Sequence, residues 1–238
     1  LHELNIRLFS IGNGSCFLGC LLLFFIATPL YGAEKLAPWD LYPKGLTFDV
    51  KRNGDRVGRH TVAFKKNGKT KFQVNSMMTV SVTLLSIPVY RYRYTSETAW
   101  QDGQMIHLMA EQDDDGDVSH VRAVRQGQTW TITGPKARVK SQKPLYPTDH
   151  WHFGVIKQTE VLDTLTGKIT DVTITPGEVE RIRAQGRSVN ATPYRYTGDI
   201  NTTVWYDHAG RWVKMAFEAG EGSDMEYYCI ECGLAPND

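Results

Sequence analysis

The chain has 238 residues, with 27 Lys and Arg against 26 Asp and Glu and a formal charge of +1. That balance offers no electrostatic basis for holding nucleic acid or an anionic membrane surface. An apolar fraction of 41% is ample for a packed core, and four cysteines are too few for a disulfide-framework fold.

The opening stretch, 1–33, has the three parts of a secretory signal peptide: Arg7 in the n-region, the apolar run 17–27, and small residues at Gly32 and Ala33. The run is shorter than the ~20 residues that a membrane-spanning helix needs, and nothing later is apolar for as long. Cleavage is expected after Gly32 or Ala33, with the bulky Tyr31 counting against the second cut. Cys20 is not read as an acylation site, because the apolar run continues past it. Residues 34–238 are then expected to form a single β-rich domain that does not span a membrane.

From Lys44 onward the sequence consists of short alternating runs between turn dipeptides. Leu46, Phe48 and Val50 alternate with polar neighbours and stop at Asn53-Gly54, a strong hairpin signal because both positions accept positive φ. A run at 57–64 leads to a second Asn-Gly at Asn67-Gly68, and runs at 71–85 and 90–94 follow. In the last of these, Tyr90, Tyr92 and Tyr94 share one face of a strand and Arg91 and Arg93 the other. Asp102-Gly103 turns into 105–111, Asp115-Gly116 into 118–125, and Gly127 into 129–133. The stretch 135–147, rich in basic residues and proline, is expected to be a crossover loop between two β halves. Strand-like runs resume at 161–165, 168–175, 188–197, 202–207, 211–218 and 224–230. Turn signals at this spacing predict an all-β fold, mainly antiparallel and rolled or barrel-like, with one short helix over 148–157 after the crossover.

Four phrases carry a family resemblance: Asp163-Thr164-Leu165-Thr166-Gly167-Lys168, Tyr194-Arg195-Tyr196-Thr197-Gly198-Asp199, Val204-Trp205-Tyr206-Asp207 and Gly210-Arg211-Trp212-Val213-Lys214. The chain resembles a family of exported bacterial proteins catalogued only as a domain of unknown function. The resemblance implies a location in the bacterial periplasm, or secretion, and a β-rich domain. It implies no activity, catalytic residue or ligand.

Several stretches invite a chemical reading. In Asp149-His150-Trp151-His152 the two histidines would share a face on a strand, as two zinc ligands do, whereas on a helix they would lie ~200° apart. Pro147, then Thr148 or Asp149 as an N-cap, then Trp151, Val155 and Ile156 at helical spacing, favour a structural helical turn. Glu111 to Asp117 resembles a calcium loop, but its twelfth position would be Arg122 instead of a bidentate Glu, which leaves a solvated hairpin turn. Cys229 and Cys232 have no following helix to activate a thiol and no second pair to complete a zinc site, so a local disulfide is expected. No nucleophile elbow and no glycine-rich phosphate loop occur.

No catalytic residue, cofactor or metal site is therefore assigned, and nucleic acid is not an expected partner. The expectation is a non-enzymatic envelope protein that binds an apolar or amphipathic ligand, or a protein partner, in a curved sheet. Its motive is the aromatic surplus at Tyr90, Tyr92, Tyr94, Trp100, Trp130, Tyr194, Tyr196, Trp205 and Trp212. Two other classes are carried beside it. One is a metal-dependent hydrolase using His150, His152 and a remote histidine; the other is a structural or assembly protein acting through a sheet edge.

Overall fold

The computed structural model describes residues 37–235 apart from Ser86; the expected signal peptide and its cleavage sites at Gly32 and Ala33 lie outside the described residues. After the one-turn α1 (Pro38–Leu41) the chain runs as a meander: β1 (Leu46–Arg52), β2 (Asp55–Lys66), β3 (Lys71–Leu84), β4 (Ile87–Gln101), β5 (Gln104–Asp114), β6 (Asp117–Gln126), β7 (Thr129–Gly134) and β8 (Ala137–Ser141). A connection containing a 3-10 helix (Phe153–Lys157) leads to β9 (Glu160–Leu162), β10 (Ile169–Pro176), β11 (Glu180–Ala184), β12 (Arg187–Gly198), β13 (Thr202–Asp207), β14 (Trp212–Glu218) and β15 (Asp224–Glu231). Strand accounts for 65% of the structure, in a mostly antiparallel sheet that is curled but not closed.

Along the sheet the order is β8-β7-β6-β5-β4-β3-β2-β1-β15-β14-β13-β12-β10-β9, with β11 pairing the other half of the β12 edge that β10 uses. The two meanders join where β1 meets β15, with Phe48 opposite Cys229 and Val50 opposite Tyr227. The sheet's outer ends approach each other without pairing. Lys136 N donates to Thr166 O at 3.2 Å, and a methyl group on Gly134 would stand 2.4 Å from Thr166 O and 2.9 Å from the Gly167 Cα.

The hairpin signals act as their chemistry requires. Asn53 and Gly54 have φ of 49° and 90°, Asp102 and Gly103 53° and 75°, and Asp115 and Gly116 53° and 101°. These are left-handed pairs that match the twist of the strands they join. Asn67-Gly68 instead lies in a longer loop, 67–70, closed by Asn67 N donating to Lys71 O at 2.9 Å.

Two expectations need correction. The stretch 135–147 is not loop throughout, because 137–141 forms edge strand β8 on β7. Its exposed Arg138 and Lys140 read as loop composition, yet charged side chains are also what an edge strand carries to discourage further pairing. The helix expected over 148–157 is shorter and starts later. His150 sits at φ 53°, which no helix tolerates, and the cap is His152, whose Nδ1 accepts from Gly154 N at 3.0 Å.

Buried residues repeat with period two on strands such as β1 and β7, and the largest fully buried side chains are Trp100, Trp130, Trp212, Tyr42, Tyr196 and Tyr206. The turn between β13 and β14 is held by a buried ion pair, Arg211 Nε to Asp207 Oδ2 at 2.6 Å. Asp207 Oδ1 also accepts from the backbone of Ala209 and Arg211, both at 2.9 Å. From this turn Trp212 N donates to Tyr42 Oη at 2.9 Å, and Tyr206 Oη donates to the His150 carbonyl at 2.8 Å. The turn thereby fixes the backbone that presents His150.

Candidate functional site: an apolar pocket with a polar floor

The inward face of the central strands leaves a pocket of about 700 Å³, within the 300–1,000 Å³ range of small-molecule sites. Its walls follow from strand alternation. Met78, Val80 and Val82 point inward from β3, opposite Tyr94, Tyr92 and Tyr90 on β4. Val50 and Arg52 line it from β1, Met215 and Phe217 from β14, and Met225 and Tyr227 from β15. The wall is therefore chiefly aliphatic, thioether and aromatic. Methionines suit such a wall because their flexible, polarizable side chains adapt to irregular ligands.

Below the pocket lies a smaller chamber of about 120 Å³. Met78, Tyr92, Leu165, Met215 and Tyr227 line both, so the two adjoin and share a wall of flexible side chains. The chamber adds His60 from β2, Ser76 from β3, Tyr94 from β4, and Thr148, Asp149, His150 and Thr164 from the connecting segments. Along β3 the lining thus turns polar with depth, from Val82 at the mouth through Val80 and Met78 to Ser76 at the floor.

The polar groups at the two levels differ in one respect. Near the mouth they are paired: Tyr90 Oη donates to Asp114 Oδ1 at 2.7 Å, Tyr92 Oη to Gln112 Oε1 at 3.3 Å, and Arg52 contacts Glu221 at 3.1 Å. On the floor, both ring nitrogens of His60, Ser76 Oγ and His150 Nδ1 are buried with no partner. His60, Ser76 and His150 are only 7%, 4% and 6% exposed.

Burial, with His150 nearby, lowers the His60 pKa to about 3, and burial lowers that of His150 to about 4, so both imidazoles are neutral near pH 7. Burial pushes the Asp149 carboxyl up to about 7, against the hydrogen bond from Trp151 Nε1 to Asp149 Oδ2 at 2.9 Å. Both imidazoles meet Trp212 edge-on, with ring centroids 5.7 Å from it in each case.

The structure parts the two histidines of Asp149-His150-Trp151-His152. His150 packs against Tyr196 and Trp212, whereas His152 stacks on Trp100 at 5.2 Å and contacts Tyr146. Asp149 binds the Trp151 indole instead of capping a helix. No group of three His, Cys, Asp or Glu side chains among the described residues could hold a metal ion. At the Asp113–Gly116 turn, Asp113 Oδ1 accepts from Gly116 N at 2.8 Å, as a hairpin turn requires. Cys229 and Cys232 form a disulfide with both residues fully buried.

Sequence reasoning found Tyr90, Tyr92 and Tyr94 but missed most of the pocket. Trp100, Trp130, Tyr196 and Trp212 fill the core, and Trp205 is only half-buried and bonds to Glu180. The overlooked signal was Ser76-Met77-Met78-Thr79-Val80-Ser81-Val82, whose even-numbered members share one face.

The family model described as a domain of unknown function (DUF6134) matches residues 48–230. A crystal structure of a β-barrel-like protein of domain of unknown function DUF1849, from Brucella abortus, is similar in fold at a TM-score of 0.56. The match covers 79% of this chain and 95% of that one at 13% identity, a likeness of fold alone. No curated protein matches the chain.

Proposed function

From the premise that this chain belongs to the DUF6134 family, whose description assigns no activity, we propose on its own geometry that it is a binding protein for an apolar or amphipathic small molecule. The observation that carries this reading is the pocket of about 700 Å³ walled by Val50, Met78, Val80, Val82, Met215 and Phe217. An apolar space of this size is where a ligand gains most from leaving water. Exposed Leu85, Ile87 and Val89 near the β3–β4 turn extend the apolar surface outward from the mouth, which Val89 itself lines. The same proposal places the protein outside the cytoplasm. Its support is the signal-like segment 1–33 together with a Cys229–Cys232 disulfide, a bond that persists in oxidising compartments.

The test is titration with a neutral fluorescent apolar probe, N-phenylnaphthylamine. Saturable binding is expected in the purified protein. Val80→Trp, which fills the pocket from β3, is expected to weaken it about tenfold or more. Undiminished binding by a folded Val80→Trp variant would place the probe elsewhere and defeat the reading.

A further inference from the structure

We infer that the chamber beneath the pocket is a head-group site for an uncharged hydroxyl, so that the ligand enters head first, bonded by His60, Ser76 and His150, with its apolar body along Met78, Val80 and Val82. This inference rests on the binding reading above and adds the ligand's polarity and orientation.

Four observations lead to it. First, the unpaired polar atoms of His60, Ser76 and His150 all belong to residues lining this one chamber. Proteins rarely leave buried donors and acceptors unmatched, and such a cluster points to a polar group that completes it. Second, the chamber adjoins the larger pocket across Met78, Tyr92, Leu165, Met215 and Tyr227, so an amphipathic molecule with its head in the chamber has its body beside the apolar wall of β3.

Third, the electrostatics select an uncharged head. No Lys or Arg lines the chamber, and its acid, Asp149, is already engaged by Trp151. The cation nearer the mouth, Arg52, is held by Glu221 and Ser223. A carboxylate or phosphate in the chamber would be desolvated without a countercharge, an unfavourable exchange. A neutral imidazole offers one donor and one acceptor, and a hydroxyl offers one donor and two acceptors, so two imidazoles and a serine can saturate an alcohol. Fourth, the chamber's about 120 Å³ is small beside the pocket's about 700 Å³, which suits a compact head on a larger apolar body.

The experiment is displacement of N-phenylnaphthylamine at neutral pH by three compounds of matched chain: dodecanol, its methyl ether, which cannot donate, and dodecanoate, which is charged. Dodecanol is expected to displace the probe at a concentration about tenfold below that of either competitor. The readout in variants is the alcohol-to-ether ratio, which is expected to fall to roughly threefold or less in His60→Leu and, as a second and gentler substitution, in Ser76→Ala. An ether as potent as the alcohol, or dodecanoate as the tightest competitor, overturns the head-group site while leaving the apolar pocket standing. Failure of the probe and all three competitors to bind overturns both readings.

Discussion

His60 and His150 are refused protons by the fold, and that refusal couples stability to acidity. Their folded values, about 3 and about 4, lie below the ordinary 6.5. Below pH ~6.5 the unfolded chain therefore binds two protons that the folded chain does not, and stability present at neutral pH is lost as pH falls toward 4. Asp149 acts in the opposite sense: raised from 3.8 to about 7, it contributes stability below pH ~4 that is lost as pH rises toward 7. Two sites against one leave a net of about one proton, or up to ~1.4 kcal/mol per pH unit between pH ~4.5 and ~6. His60→Leu is expected to remove that net proton from the slope, measured by urea unfolding across this range; an unchanged slope would show that His60 is not held neutral. Asp207 has a different task. Asp207→Ala would remove the carboxylate that pairs with the buried Arg211 guanidinium and release the turn tied to Tyr42, at an expected cost of about 3–5 kcal/mol in the same assay.

At the scale of elements, the seam between β7–β8 and β9–β10 depends on two glycines in contact. Gly134 has ordinary backbone angles but no space for a side chain against Thr166 O and Gly167. Gly134→Ala must push the two turns apart and is expected to cost roughly 1–3 kcal/mol, read as a lowered thermal midpoint. This contact could not be read from the sequence, because it depends on two distant turns that meet only after the sheet has curled. The hairpins at Asn53-Gly54, Asp102-Gly103 and Asp115-Gly116 were legible, since each is decided by two adjacent residues. Strand β11 was overlooked because its turn uses Gln185-Gly186, at φ of 50° and 76°, a pair that carries a weaker signal than Asn-Gly. The pocket was legible only in part for a related reason. Parity tells which residues of β3 share a face, but not that Ser76 will lie deep beside His60 and Val82 near the mouth. That depth follows from the register of β2, β3 and β4, with Val62 opposite Ser76 and Val82 opposite Tyr90.

For the molecule as a whole, the disulfide and the β1–β15 join make unequal contributions. Cys229 and Cys232 are three residues apart, so loop-closure entropy gives the bridge only about 2 kcal/mol. The segment beyond it is held independently: Arg211 donates to Gly233 O at 2.7 Å, and Gln185 accepts from Cys232 N and Leu234 N. Replacing both cysteines by alanine is therefore expected to lower the unfolding free energy by about 2 kcal/mol and to leave the far-ultraviolet circular dichroism unchanged. Loss of the β signature would assign the bridge a larger role.

The join itself has a consequence in time. Every other neighbour in the first meander is also the next element along the chain, so β1 to β8 can pair as local hairpins while the polypeptide is still being produced. Strand β1 must wait for β15, the last strand in order, before its second edge is covered. Contacts of such long sequence separation form slowly, on the millisecond-to-second scale for β-rich folds. During that interval Leu46 to Arg52 presents an open edge at the centre of the future sheet. The alternation that turns Phe48 and Val50 inward also sets Asp49 and Lys51 on the other face. Until the last strand arrives, the free N–H and C=O groups of that edge are open to another chain, so the unfinished sheet is most exposed to aggregation in that interval.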